Sequence, residues 1–297
     1  MADRFSKETA QQRAYRAFET MVAGEDDSID LAQAALLIAQ SEYPHLAIAP
    51  SLAHLDALAQ RVRGVLALPE PDALPHPTND TEVFAVIDAM NKVLFDEEHF
   101  HGNKEDYYNP ENSFLNKVLE NHTGIPITLS LLYMEIGRRV GIQIDGIGLP
   151  FHFVVRCSLS QENIYIDPYE GGLLMSEQGC RDRIHRITQR RMKIHSHLFE
   201  PVTHRQLLAR ILNNLKRIYI DKEDYERTLT ISDLIVLLLP GVASEQRDRG
   251  LIHLQLKHYS RAIHDLTTYL ELAPQAEDRY EILNQIKTTR ETLARLN

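Results

Sequence analysis

The feature that most constrains this chain is a change of hydrophobic period at Gly141. Before it, Leu129, Leu132, Tyr133, Ile136 and Val140 recur at spacings of three and four, the apolar stripe of a helix. Pro126 suits a first helical position, where its missing N–H costs nothing and its fixed φ helps. Arg138 and Arg139 fall in the last turn, where positive charge suits the dipole, and Gly141 can cap the C-terminus. The spacing therefore predicts a helix over 125–140. Beyond Gly141 the period drops to two. Phe151, Phe153, Val155 and Cys157 alternate with His152, Val154 and Arg156, which predicts a strand with His152 facing away from Phe151 and Phe153. The polar run 158–163 reads as a turn, and 164–166 as a short return strand ending in Asp167-Pro168, where proline stops ladder pairing. A buried helix feeding an antiparallel hairpin requires an α+β fold.

One histidine on the first strand and one aspartate closing the second form a pattern that resembles the transglutaminase-like fold, a relative of the papain-type cysteine enzymes. The runs DYYNPENS at 106–113, LNKVL at 115–119, GIPI at 124–127 and GIGLP at 146–150 are similar to the SirB1-like branch of that superfamily. The resemblance implies a helix opened by a cysteine whose pKa the dipole lowers, a histidine base and an aspartate that orients it. Gly124 matches the glycine before the nucleophile, and Gly141 the one after the helix. Counting between them places Pro126 where the nucleophile stands, with His152 and Asp167 as the other two members. Phe151 occupies a position where that branch usually has glycine.

Around this core, the pattern predicts helices near 13–22, from 30 to about 44, from a cap at Ser51, and from Asp80 or Thr81. A proline-rich connector, 67–80, precedes the last of these. The expected division is an N-terminal helical region over 1–79, a transglutaminase-like core over 80–200 and helical repeats over 201–297. The repeats announce themselves by spacing. Tyr225 and Tyr259 are 34 residues apart, as are Pro240 and Pro274, and 34 is the tetratricopeptide period. Gly250, Ala262 and Pro274 fit the small, small and proline positions of that repeat; Lys216 and Thr228 depart from it in the first unit. A third helix near 276–296 can cap the pair. Two units fall short of an independent solenoid and must lean on other structure.

The remaining candidates are weaker. Glu97, Glu98, His99 and His101 lack a compact zinc spacing and read as a solvated acidic loop, so neither metal nor cofactor is expected. The amides of Asn112 and Asn116 are placed to fix a loop over the hairpin. The basic stretch 181–193 reads as a solvated linker face, with an anionic-ligand patch as the alternative. Apolar residues make up 43% of the chain and no apolar run is long enough to cross a bilayer. A net charge of −10 argues against non-specific nucleic-acid binding. Cys157 and Cys180 alone give no disulfide framework and the N-terminus does not read as a signal peptide, so a cytoplasmic location is expected.

Three functional readings follow. A cysteine-type hydrolase or transferase is opposed by Pro126. An amide- or ester-bond hydrolase or acyl transferase using His152 and Asp167 would need a non-standard nucleophile, with Thr128 or Ser130 the candidates near the helix start. The favoured reading is a non-catalytic binding or scaffold module. It would act on a protein partner through the C-terminal repeats, a basic or neutral one given the chain's acidic balance.

Overall fold

The computed structural model describes residues 8–67, 77–188 and 195–296. Two compact units share the chain, one formed by Glu25–Ile211 and the other by Met1–Gly24 with Leu212–Asn297. Helix α1 (Ala10–Val22) belongs to the second unit. Its start is fixed by a reciprocal cap in which Thr9 Oγ1 accepts the Gln12 N–H and the Gln12 side chain accepts the Thr9 N–H.

The larger unit begins with α2 (Leu31–Ala39), capped by the Asp30 carboxylate and buried along nearly its whole length. Helix α3 (Ile48–Val65), with Ala47 at its cap position, starts four residues earlier than the Ser51 cap predicts. Pro50 is tolerated there because the first turn has no partner for its missing N–H. Most of the proline-rich connector lies outside the described residues. Asn79 caps α4 (Asp80–Asn91), which runs on into a wider π turn over Lys92–Glu97. What the sequence presents as an acidic loop therefore begins as helix. Strand β1 (His101–Gly102) pairs in parallel with β2 (Thr123–Gly124), and α5 (Leu115–Asn121) lies between them in sequence.

Helix α6 (Pro126–Val140) is the predicted central helix, with Gly141 closing it at φ 88°. Leu131 and Ile136 are fully buried, Leu129 and Leu132 nearly so; each such side chain stabilises by about 2 kcal/mol. Tyr133 is also sealed in, its ring stacked on Phe95 and its hydroxyl donating to Asn91 Oδ1 at 3.0 Å. Strands β3 (Asp145–Ile147), β4 (Val154–Ser158), β5 (Asn163–Asp167) and β6 (Leu173–Met175) then form one antiparallel sheet in sequence order. Helix α7 (Glu177–Thr188) returns over β5 and β6, placing Cys180 and Ile184 in a core with Ile147, Val154 and Tyr165.

The repeats follow the 34-residue period. Helices α8 (His204–Asp221) and α9 (Tyr225–Leu238) form the first hairpin, α10 (Ala243–Gln255) and α11 (Tyr259–Leu272) the second, and α12 (Arg279–Leu296) packs on α11. Glu223 and Lys257, equivalent in the two hairpin turns, both adopt the left-handed conformation, at φ 55° and 59°. Gly250 permits the close crossing of α10 and α11, since a Cβ there would meet Leu266 at 2.9 Å. In the first unit Lys216 replaces that glycine because its ammonium reaches Glu245 and Asp248 on α10, at 2.8 and 2.9 Å. Thr228 stands in for alanine by returning its hydroxyl to the Asp224 carbonyl.

Charge is unevenly shared. Residues 212–297 carry 12 Lys/Arg against 13 Asp/Glu, whereas 25–211 carry 16 against 26. The acidic balance thus belongs mainly to residues 25–211. Among the described residues, no helix is long and apolar enough to cross a membrane.

The second hairpin holds a buried ionic cluster. Arg249 grips Asp265 with Nε and Nη2, both at 2.7 Å, and reaches Asp233 at 3.1 Å. His253, 4% exposed beside it, is pushed down to about 4 chiefly by burial. Its folded-state pKa lies below the unfolded value of about 6.5, so the unfolded chain binds the extra proton in that window. Stability is fully present above about pH 6.5, is lost as pH falls toward 4, and the loss amounts to about 3 kcal/mol at most. Urea titrations at about pH 7.5 and about pH 5 are expected to show a smaller drop for His253→Asn than for the wild type.

Candidate functional site

Asp167 ends β5 and is fully buried. Its Oδ1 accepts the backbone N–H groups of Tyr169 and Glu170, at 3.1 and 3.3 Å, closing a short 3-10 turn over Pro168–Glu170. Its Oδ2 accepts from His152 Nε2 at 2.7 Å and from Arg183 Nε at 2.9 Å. A carboxylate can only accept, so Nε2 carries the proton and Nδ1 is the free ring nitrogen in neutral His152. Arg183 Nε and His152 Nε2 lie 3.3 Å apart because both aim at one oxygen. The guanidinium also reaches Glu170 Oε1 through Nη2 at 2.9 Å, and Lys104 holds the other Glu170 oxygen at 2.8 Å.

His152 is therefore paired with Asp167 as expected, but not from a strand. β4 starts at Val154, and His152 sits in the preceding turn. Alternation fails because Phe151 adopts φ 60°, which reverses the chain and leaves its ring 72% exposed. This left-handed position is one that glycine fills without strain. The turn is held from outside by Arg210 on α8, whose Nη2 donates to the carbonyls of Leu149 and His152 at 2.9 and 2.7 Å. The Tyr169 ring meets His152 edge-on, with centroids 6.2 Å apart, and Tyr107 packs against Tyr169 at 6.3 Å.

The N-terminus of α6 is locked by Thr128. Its hydroxyl donates to the Asn112 carbonyl at 2.7 Å and accepts the Ile125 N–H at 3.1 Å. Gly124 makes room for it, since a Cβ there would lie 2.9 Å from Thr128 Oγ1. Asn112 ties down the 106–113 loop by donating to the carbonyls of Asp106 and Tyr107 while accepting from Asn103. Asn116 is buried, with Oδ1 lacking a hydrogen-bond partner, as is Ser130 Oγ. Pro126 opens the helix. Among the described residues, no hydrogen bond joins His152 to a hydroxyl or a thiol.

Both cysteines are buried thiols. Burial pushes Cys157 up to about 11, and its Sγ approaches the Gln143 carbonyl at 3.7 Å. Cys180 is pushed up to about 12 by burial, with the Asp167 charge adding to it. Cys180 thus lies near the pair, yet its surroundings oppose a thiolate.

The search of family models matched residues 50–213 to a transglutaminase-like superfamily domain and residues 215–287 to a tetratricopeptide repeat. The chain belongs to the transglutaminase-like superfamily. A relative named UPF0162 protein from Xylella fastidiosa strain 9a5c is 33% identical over 265 residues, covering 88% of this chain and 90% of its own. A UPF0162 protein from Vibrio cholerae is 26% identical, covering 84% and 88% respectively. Human F-box only protein 21 is 34% identical over 167 residues, which is 52% of this chain and 26% of that protein. No solved structure matched at a meaningful level.

Within this transglutaminase-like unit, Arg183, Tyr169 and Arg210 went unseen in the sequence. Arg183 falls in the basic stretch read as a solvated face; it is instead largely buried, its side chain 15% exposed and bonded to the pair. A signal existed: Cys180 and Ile184 mark the apolar face of α7, and Arg183 borders it. Arg183→Met would leave the buried Asp167 without its cation and is expected to lower unfolding stability by about 3 kcal/mol, read by urea denaturation. Native protein is expected to react slowly with a thiol reagent at about pH 8, both cysteines labelling only on unfolding.

Proposed function

We propose that this chain is a non-catalytic binding module. Its transglutaminase-like unit keeps the His152–Asp167 pair as a structural node, and its tetratricopeptide repeats take a protein segment. The observation that carries this reading is Pro126. The position from which the superfamily's nucleophile would project has neither an ionisable group nor an N–H to offer an oxyanion. Nearby replacements are already committed. The Thr128 hydroxyl is engaged as both donor and acceptor, Ser130 is fully buried, and both thiols are held protonated. Losing the nucleophile of a triad removes orders of magnitude in rate.

The intact pair at 2.7 Å supports the second reading, a hydrolase or acyl transferase in which His152 is the base and a non-standard group the nucleophile. The two readings separate in one experiment. Wild type, His152→Ala and the Cys157→Ala/Cys180→Ala double variant are assayed for amide hydrolysis and acyl transfer. No turnover above buffer is expected from any of them. Turnover that survives loss of both thiols but disappears with His152 would establish the second reading; turnover lost with the thiols would make a cysteine the nucleophile.

A further inference from the structure

The excess of carboxylates in residues 25–211, 26 against 16 Lys/Arg, has a local counterpart at the end of α6 remote from Pro126. A groove of about 510 Å³ opens there, bounded by the 3-10 turn over Asp26–Ser28, the start of α2, the last turns of α6 and the lead-in to β3. It lies wholly within the larger unit. Ile29, Ile142 and Ile144 give it an apolar lining, each at most 8% exposed. Around them stand four carboxylates and one guanidinium. Glu135 is held by Arg138 and Arg139, and Asp145 by Arg156 at 2.6 Å. Asp27 and Asp30 remain. Asp30 accepts the Gln33 N–H as the cap of α2, and neither carboxylate has a cation in ion-pair reach among the described residues. The adjacent Asp26 is spent on the backbone N–H groups of His204 and Arg205. The C-terminus of α6 adds its partial negative charge to the same groove.

Two further features describe what fits. His204 donates from Nδ1 to the Ile29 carbonyl at 3.0 Å, so in the neutral ring Nε2 is a free acceptor on the same groove. Strand β3 is an edge strand whose outer side is paired only near its end. There the Val202 N–H donates to the Gly146 carbonyl at 2.9 Å, and Pro201 lies opposite Ile147. Ile144, two residues before Gly146 and so on the same side of an extended chain, makes no backbone hydrogen bond among the described residues. The groove thus offers acceptors for a cation, an apolar bed for its stem and an unfilled strand edge. A Lys or Arg side chain on an extended backbone complements all three. We infer that this groove docks an extended segment of a partner protein, which adds to the edge at Ile144 and sets a basic side chain against Asp27, Asp30 and His204. This docking surface goes beyond the role given to the repeats and does not depend on it. It shares no residue with the His152–Asp167 pair.

The test uses the full chain and two terminally blocked pentapeptides, Thr-Val-Lys-Val-Thr and its counterpart with Gln in place of Lys. A fully N-methylated form of the Lys peptide removes the main-chain donors, and n-butylammonium supplies the charged stem alone. Binding is followed through the backbone amide resonances of Ile144 and Gly146. Saturable shifts are expected with the Lys peptide, weakening as salt is raised, with roughly tenfold weaker binding of the Gln peptide. The N-methylated peptide is expected not to bind. Asp27→Asn and Asp30→Asn are each expected to weaken the Lys peptide several-fold. Both variants are expected to fold, since Asn caps α2 as well as Asp does. No saturable shift with the Lys peptide, equal affinity for the Lys and Gln peptides, or unchanged affinity in the Asp27→Asn/Asp30→Asn double variant overturns the site. Butylammonium or the N-methylated peptide binding as tightly as the Lys peptide overturns the strand addition. None of these outcomes bears on turnover or on the repeats, and amidase activity would sink the non-catalytic reading without touching the groove.

Discussion

The carboxylate of Asp167 is the interaction on which this fold's centre depends. It is fully buried and receives four donors, two from the backbone of the turn that follows it and two from side chains distant in sequence. An ionised group taken out of water is stable only when its lone pairs are met in this way. Meeting them fixes the end of β5, the turn carrying His152, and α7 relative to one another. The same arrangement that could orient a general base is therefore also the arrangement that the buried charge demands. Its survival says nothing by itself about chemistry.

The entrance to α6 makes the complementary point. Pro126 pre-sets the helical φ, Thr128 closes the first turn onto Ile125 and binds the Asn112 carbonyl, and Gly124 leaves the space for it. Every group at this helix start serves the joint between the helix and the loop 106–113. A hydroxyl whose proton is already donated to the Asn112 carbonyl must give up that bond before a base can take the proton. Thr128 is thus tied into the backbone for a local reason, independent of what stands at position 126.

Much of this was legible in the sequence, and what was not has physical causes. The stripe from Leu129 to Val140 and the glycine after it located α6 to within a residue, because a buried helix cannot vary its apolar spacing freely. The 34-residue period located the repeats, since each hairpin must bury the same face. His152 does pair with Asp167, although the strand on which alternation puts it begins two residues later. Period-two reading assumes an extended chain, and Phe151 at positive φ breaks that assumption without any mark in the hydrophobic pattern. Arg183 was hidden differently. A charge run reads as solvated face by default, and only tertiary folding shows that one member of the run meets a carboxylate 16 residues earlier.

The arginines around His152 separate two uses of a partly buried cation. Arg183 has its donors directed at Asp167 and Glu170, so removing it exposes an unpaired carboxylate and the cost falls on stability. Arg210 makes neutral contacts only, with two carbonyl oxygens and a ring face. Those contacts hold the turn, for which two N–H groups suffice; they do not account for a charge or for the donors left over. A hydrogen-bonding neutral side chain would serve the turn at lower desolvation cost. The residual charge is thus the part of this turn that internal packing leaves unexplained, and it lies beside His152, whose Nδ1 has no hydrogen bond among the described residues.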